Sequence, residues 1–214
     1  AAREGHCECV QGLVDGKANM EVRDSGEMTA LMCAASQGHS ECVQLLVNRK
    51  ANVDTVDDES KTALLWASQE AQANFDVVEK KYTMQDEDAP ASTYVATTGY
   101  GRSLQILIDA NADVDARDNQ NRTALLWLAH NGHIDGLSVL INARADVDTE
   151  EERRYTPLTL AADKGHVDCV ELLVAAGAQI DHRDEDHMTP LITAASHGHT
   201  ECVRLLIDLK ADVS

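Results

Sequence analysis

The feature that most constrains this chain is a unit that returns about every 33 residues, a period in the range of stacked repeat architectures. Glycine-histidine pairs stand at Gly5-His6, Gly38-His39, Gly132-His133, Gly165-His166 and Gly198-His199. The steps from Gly5 to Gly38, Gly132 to Gly165 and Gly165 to Gly198 are identical. The remaining step, from Gly38 to Gly132, falls just short of three such periods. Gly99-Tyr100 stands one period before Gly132 and fills the gap as a degenerate copy, so the copy between Gly38 and Gly99 carries extra residues. Self-similarity of this kind means small units stacked on one another, not one globule around a single centre.

Each unit reads as two short helices and a turn. Thr29, Thr62, Thr123, Thr156 and Thr189 open the first helix, where a hydroxyl can accept from the exposed amides of the first turn. Small residues such as Ala34-Ala35 and Ala194-Ala195 let that helix sit close to its neighbours. The glycine ends it, and a second helix carries larger aliphatics such as Val43, Leu46, Val170 and Leu173. An Ala-Asn-Val-Asp or Ala-Asp-Val-Asp block follows, as at Ala51 to Asp54 and Ala145 to Asp148. Neither helix is long enough to persist alone, so the units must stack to bury their faces.

In order and spacing these blocks resemble the ankyrin repeat, and the resemblance covers the whole chain outside the extra residues. It implies an all-α repeat solenoid, an ankyrin-repeat array of helix-turn-helix units joined by β-hairpin-like fingers. The array is read as a single domain over 1–214, with a partial repeat at 1–23 and repeats at 24–56, 57–117, 118–150, 151–183 and 184–214. The third copy holds the insertion, at about 69–96. The absent initiator Met and the incomplete first and last copies read as a segment of a longer chain, or as ends that lie against another protein.

Departures from the family pattern carry their own expectations. Where the family has a histidine that bridges neighbours, this chain has Met32, Leu65, Leu126, Thr159 and Ile192. Where it has a glycine after the second helix, this chain has Lys17, Lys50, Asn111, Arg144, Gly177 and Lys210. That turn tends to need a left-handed residue, which costs a non-glycine about 1 kcal/mol or more. A less stable array than an idealised one is expected, with a thermal midpoint below about 90 °C.

Charge narrows the class of partner. The 18 lysines and arginines are outnumbered by 37 aspartates and glutamates, a formal net charge of −19. Such a chain repels phosphate backbones and anionic lipid surfaces, which argues against nucleic acid and direct membrane insertion. The acids gather at the junctions between copies: segments 19–27, 54–59, 113–118, 146–154 and 181–187 sum to −2, −4, −2, −3 and −3. They read either as an electronegative edge for a protein with a basic surface or as ordinary solubilising turns.

The resemblance implies a non-enzymatic protein–protein interaction module or scaffold, binding through its concave face and acidic fingers. Transferred residue by residue, the contact positions are Met28 and Gln37 in the second copy and Asp58, Glu59 and Lys61 in the third. The fourth gives Arg122, His130 and Asn131, the fifth Glu152, Tyr155 and Asp163, and the sixth Glu185, Asp186, Met188 and His197. Tyr155 and Met188 combine apolar area with exposure and are the expected hot spots. In the insertion, Phe75, Val78 and Tyr82 share one helical face with Ala67 and Ala71, so the inner helix is read as continuing to about Lys81. That arm either docks its apolar face or is a disordered loop.

Cys9, Cys42, Cys169 and Cys202 occupy one repeat phase. Packed helices lie about 8–10 Å apart, beyond ordinary disulfide reach. These cysteines are expected to be reduced and buried, which suits a reducing cytoplasmic or nuclear compartment. Trp66 and Trp127, also in one phase, read as core. No nucleophile elbow, phosphate loop, dinucleotide fingerprint or metal-ligand spacing is present, so no catalytic, cofactor or metal site is expected. The alternatives are the ankyrin-like portion of a larger enzyme, channel or effector, and a structural subunit of a large assembly.

Overall fold

Threonine opens every complete inner helix. The Oγ1 of Thr29, Thr62, Thr123, Thr156 and Thr189 accepts from the amide three residues on, at 3.2–3.4 Å. Pro157 and Pro190 follow two of these caps, at a position where no intrahelical donor is lost.

The computed structural model describes residues 1–71 and 99–213. The chain forms two compact units, Ala1–Asn119 and Gln120–Ser214. In the first, a 3₁₀ turn at Ala2–Glu4 precedes α1 (Cys7–Asp15), α2 (Ala30–Ser36), α3 (Ser40–Asn48), α4 (Ala63–Gln69) and α5 (Gly99–Asp109). The second holds α6 (Ala124–Asn131), α7 (Ile134–Asn142), α8 (Pro157–Lys164), α9 (Val167–Ala175), α10 (Pro190–Ser196) and α11 (Thr200–Asp208). Among the described residues there is no strand, and the architecture is the all-α repeat expected.

Stacking runs along two rows in each unit. Inner helix α2 packs on α4, and α6, α8 and α10 follow one another; outer helix α3 packs on α5, and α7, α9 and α11 follow likewise. The inner row is closed by small side chains with no exposure, Ala34, Ala35, Ala129, Ala161, Ala162 and Ala194. The outer row buries larger ones, Leu104 and Leu107 in α5, Leu137 and Leu140 in α7, Leu173 in α9 and Leu206 in α11. The inner helices also bury large side chains, Leu31, Leu64, Leu65, Leu125, Leu126 and Leu158 among them, so both rows reach interior-like packing without long helices.

The turn after the outer helix is left-handed at all six expected positions. Lys17, Lys50, Asn111, Arg144 and Lys210 have φ between 62° and 75°, and Gly177 has φ 96°. A second left-handed set escaped the sequence reading: Glu27, Ser60, Asn121, Arg154 and His187, at φ 58–62° in the junction turns. None of these is glycine, and only Asn121 and His187 are types that favour positive φ, so residue type gives no consistent signal.

The glycine-histidine pair turns out to be an interlock between copies. Gly5, Gly132 and Gly165 are left-handed, and a Cβ on each would lie 2.6–2.7 Å from the ring of His39, His166 or His199 in the next copy. The ring's Nε2–H then donates to a carbonyl at the end of the preceding inner segment: His39 to Arg3 at 3.0 Å, His166 to His130 at 3.1 Å, His199 to Asp163 at 2.7 Å. Tyr100, the degenerate partner of the pair, lies over Gly38 and donates its hydroxyl to Ser36 O at 3.4 Å. The copies therefore lack the family's bridging histidine but are bridged by another one.

Two sequence readings change here. Cys42 is disulfide-bonded to Cys7, with a Cα–Cα separation of 5.2 Å, and Cys9 is exposed rather than buried. The spacing argument holds for equivalent positions, but Cys7 lies two residues ahead of the equivalent one, in the first turn of α1 beside α3. Cys169 and Cys202 are free and buried as expected, and burial pushes the Cys169 thiol up to about 12. The disulfide removes the support that reduced cysteines gave to a cytoplasmic or nuclear compartment. Meanwhile α4 ends at Gln69, and the arm with Phe75, Val78 and Tyr82 lies outside the described residues.

Candidate functional site

The junctions between copies hold most of the acids, and their backbone explains why. In the second, third and sixth copies one aspartate oxygen accepts two amides of its own turn: Asp24 from Gly26 and Met28, Asp57 from Glu59 and Lys61, Asp184 from Asp186 and Met188, at 2.9–3.1 Å. These two amide bonds hold the exposed Asp24 carboxyl below its usual range. A second row reaches across copies. Glu21, Asp54, Asp148 and Asp181 each accept the amide of the residue after the next copy's turn alanine, Asn52, Asp113, Gln179 and Asp212, at 2.8–3.0 Å. Part of the acidic edge is thus structural, satisfying turn amides that no helix or sheet would satisfy.

Some of the remaining junction acids stand at the turn tips. Asp58, Glu59, Glu152, Glu185 and Asp186 are exposed. The third, fourth and fifth copies each also carry a cation stacked on an aromatic ring. Lys61 Nζ sits 4.5 Å from the Trp66 ring centre and pairs with Glu59 at 2.5 Å, while the Trp66 indole N–H donates to Asp57 at 2.7 Å. Arg122 sits 4.7 Å over Trp127, and its Nε donates to Glu151 at 2.7 Å. Arg153 lies 5.2 Å over Tyr155 and reaches Asp186 at 3.1 Å. The tryptophans are half-buried beside the turns, not core as the sequence reading had them. Their repeat phase was visible; the cation upstream of each, at Lys61 and Arg122, was the signal left unread.

The remaining expected positions fall as follows. Met28, Tyr155 and Met188 are half-buried and Gln37 is exposed. Lys61 is 6% exposed, its ammonium already engaged by Glu59 and Trp66. On the ends of the inner helices, Asp163 brings together Lys164 at 3.0 Å and His197 at 3.3 Å. His130 packs edge-on against Trp127, with Asn131 next to it half-buried; burial, then the charges of Lys164 and Arg122, lower the His130 pKa. Burial also raises the Tyr155 hydroxyl, against the pull of Arg153. Within the second unit the expected residues of the fifth and sixth copies therefore share partners.

A family model described as ankyrin repeats (3 copies) matches residues 1–80 and 143–214, and one described as ankyrin repeats (many copies) matches residues 94–141. The chain belongs to the ankyrin repeat family. Its ankyrin repeats keep the threonine cap, the glycine turn and the two-row stack, and neighbouring copies are joined through the ring that follows the glycine. No curated protein matches the chain. Among the described residues no helix is long and apolar enough to cross a membrane. Ankyrin repeat domains are typically non-catalytic and as a family serve as protein–protein interaction modules.

Proposed function

We propose that this chain is a non-enzymatic recognition module that binds another protein through the concave face and acidic turn tips of its ankyrin repeats. One observation carries the reading: two rows of carboxylates are consumed in fixing the turns, and other acids still project from the fixed tips. In the first unit exposed Asp58 and Glu59 accompany half-buried Met28; in the second, Glu152, Glu185 and Asp186 accompany Tyr155 and Met188. The second set gathers acids around an apolar ring, since Asp186, Asp184 and Asp163 act electrostatically on Tyr155. That composition suits a partner with a basic surface, whose approach the net charge of −19 accelerates. Gln37, Arg122, His130, Asn131, Asp163 and His197 add contact positions on and beside the inner helices.

Cross-linking mass spectrometry of the native protein tests the reading by identifying neighbours and the face they touch. Cross-links from a basic partner to residues 150–155 and 184–188, with affinity that falls as salt rises, are the expected result. Salt-independent binding, or contacts confined to the outer helices, would overturn it.

A further inference from the structure

The same arrangement of ring, cation and carboxylate occurs in three copies, and in two of them one partner of the ion pair is buried. The Lys61 side chain is 7% exposed against 52% for Glu59, and that of Glu151 is 7% exposed against 30% for Arg122. Each of these pairs is anchored in the fold through its buried partner. The fifth copy departs in register. Leu160 stands at the tryptophan's place and is 7% exposed, while the aromatic, Tyr155, has moved to the turn position that Lys61 and Arg122 hold in their copies. Its cation is therefore supplied from the turn tip by Arg153, and its carboxylate from the following copy by Asp186.

This third arrangement is open. The side chains of Arg153 and Asp186 are 58% and 65% exposed, so their contact at 3.1 Å is screened and contributes little. The backbone beneath is fixed: Glu185 N donates to Arg153 O at 3.2 Å, and Asp186 N to Asp184 at 2.9 Å. A planar ring flanked by a carboxylate matches a guanidinium, which stacks by one face and hydrogen-bonds through its edge. Three carboxylates, Asp184, Asp186 and Asp163, act electrostatically on Tyr155, against one arginine.

We infer that Tyr155 and Asp186 form a recognition niche for an arginine side chain of the partner protein, and that Arg153 is its intramolecular stand-in, displaced on binding. The inference rests on the protein-binding reading above and specifies one anchor within it. Arginine is preferred over lysine because an ammonium lacks the planar face and the paired donors.

The test uses the full chain, titrated calorimetrically at physiological ionic strength with a short glycine-arginine peptide and its glycine-lysine counterpart. Arg153→Gln vacates the niche, and Arg204→Gln makes the same charge change on the exposed face of α11, away from the turns. Expected are a tightening of about fivefold or more for the arginine peptide with Arg153→Gln, and about twofold or less with Arg204→Gln, where only net charge acts. Tyr155→Leu is expected to abolish the gain and Tyr155→Phe to retain it. Equal tightening by the two arginine variants, equal binding of the two peptides, or indifference to Tyr155→Leu would overturn the niche. The broader reading fails separately, if cross-linking finds a partner that avoids the turn tips altogether.

Discussion

The two units solve one packing problem, and the first, which uses His39 over Gly5, solves it once more with a different side chain. In Gln120–Ser214 the period is uninterrupted, and His166 and His199 lie over Gly132 and Gly165. In Ala1–Asn119 an insertion falls between the inner and outer helices of one copy, yet Tyr100 still lies over Gly38 and bonds back to Ser36. The interlock requires a flat ring with a donor near its far end, resting on a residue without a Cβ. Histidine and tyrosine both meet that requirement. Stacking depends on nearest neighbours, so an insertion that preserves the ring and the glycine leaves the phase of the stack unchanged.

The sharpest way to break this comparison is at the glycines. Gly165→Ala places a methyl 2.6 Å from His199 Nδ1 on a backbone at φ 75°. It is expected to cost about 2–4 kcal/mol in urea unfolding, combining overpacking with left-handed strain. Gly198→Ala has the same φ of 75° but nothing within 4 Å, and should cost only about 1 kcal/mol. Equal losses would show that the ring contact contributes nothing.

The disulfide separates the units in a second way, since Cys7 and Cys42 both lie in the first. Cys42→Ser is expected to destabilise that unit by about 2–4 kcal/mol, measured by hydrogen exchange. α9 and α11 in the second unit should keep their protection; loss there as well would mean that the two units unfold as one.

Smaller effects test the left-handed turns and the histidines. Lys50, at φ 68°, is a non-glycine in a conformation that favours glycine. Lys50→Gly should stabilise by about 0.5–1 kcal/mol, net of the added freedom of the unfolded chain. The equivalent Gly177→Ala, from φ 96°, should destabilise. Burial is the leading cause that lowers the pKa of His130, His133 and His166, all in the second unit, from the ordinary 6.5. Below 6.5 the unfolded chain binds protons that the folded unit resists, so stability is full above that pH. It falls as pH drops toward the lowered folded values. A thermal midpoint of the isolated second unit that is flat from pH 7 to 5 would contradict this.

Residue pattern alone determined the repeat, its helix pairs, the threonine caps and the left-handed turn at Lys17, Lys50, Asn111, Arg144, Gly177 and Lys210. These are local or periodic features: a cap spans one turn of helix, and the repeat period records which faces need covering. It even marked Gly99-Tyr100 as a member of the glycine-histidine series. Three-dimensional neighbours decided the rest. That a histidine fills the space of a missing Cβ depends on atoms a whole repeat apart in sequence meeting across a stack. Cys7 reaches Cys42 because the first turn of α1 packs beside α3, which a comparison of equivalent positions does not contain. The junction acids look alike in sequence; Asp184 holds amides of its own turn, but only the stacking of copies shows that Asp54 accepts the Asp113 amide while Glu152 and Asp186 stay exposed.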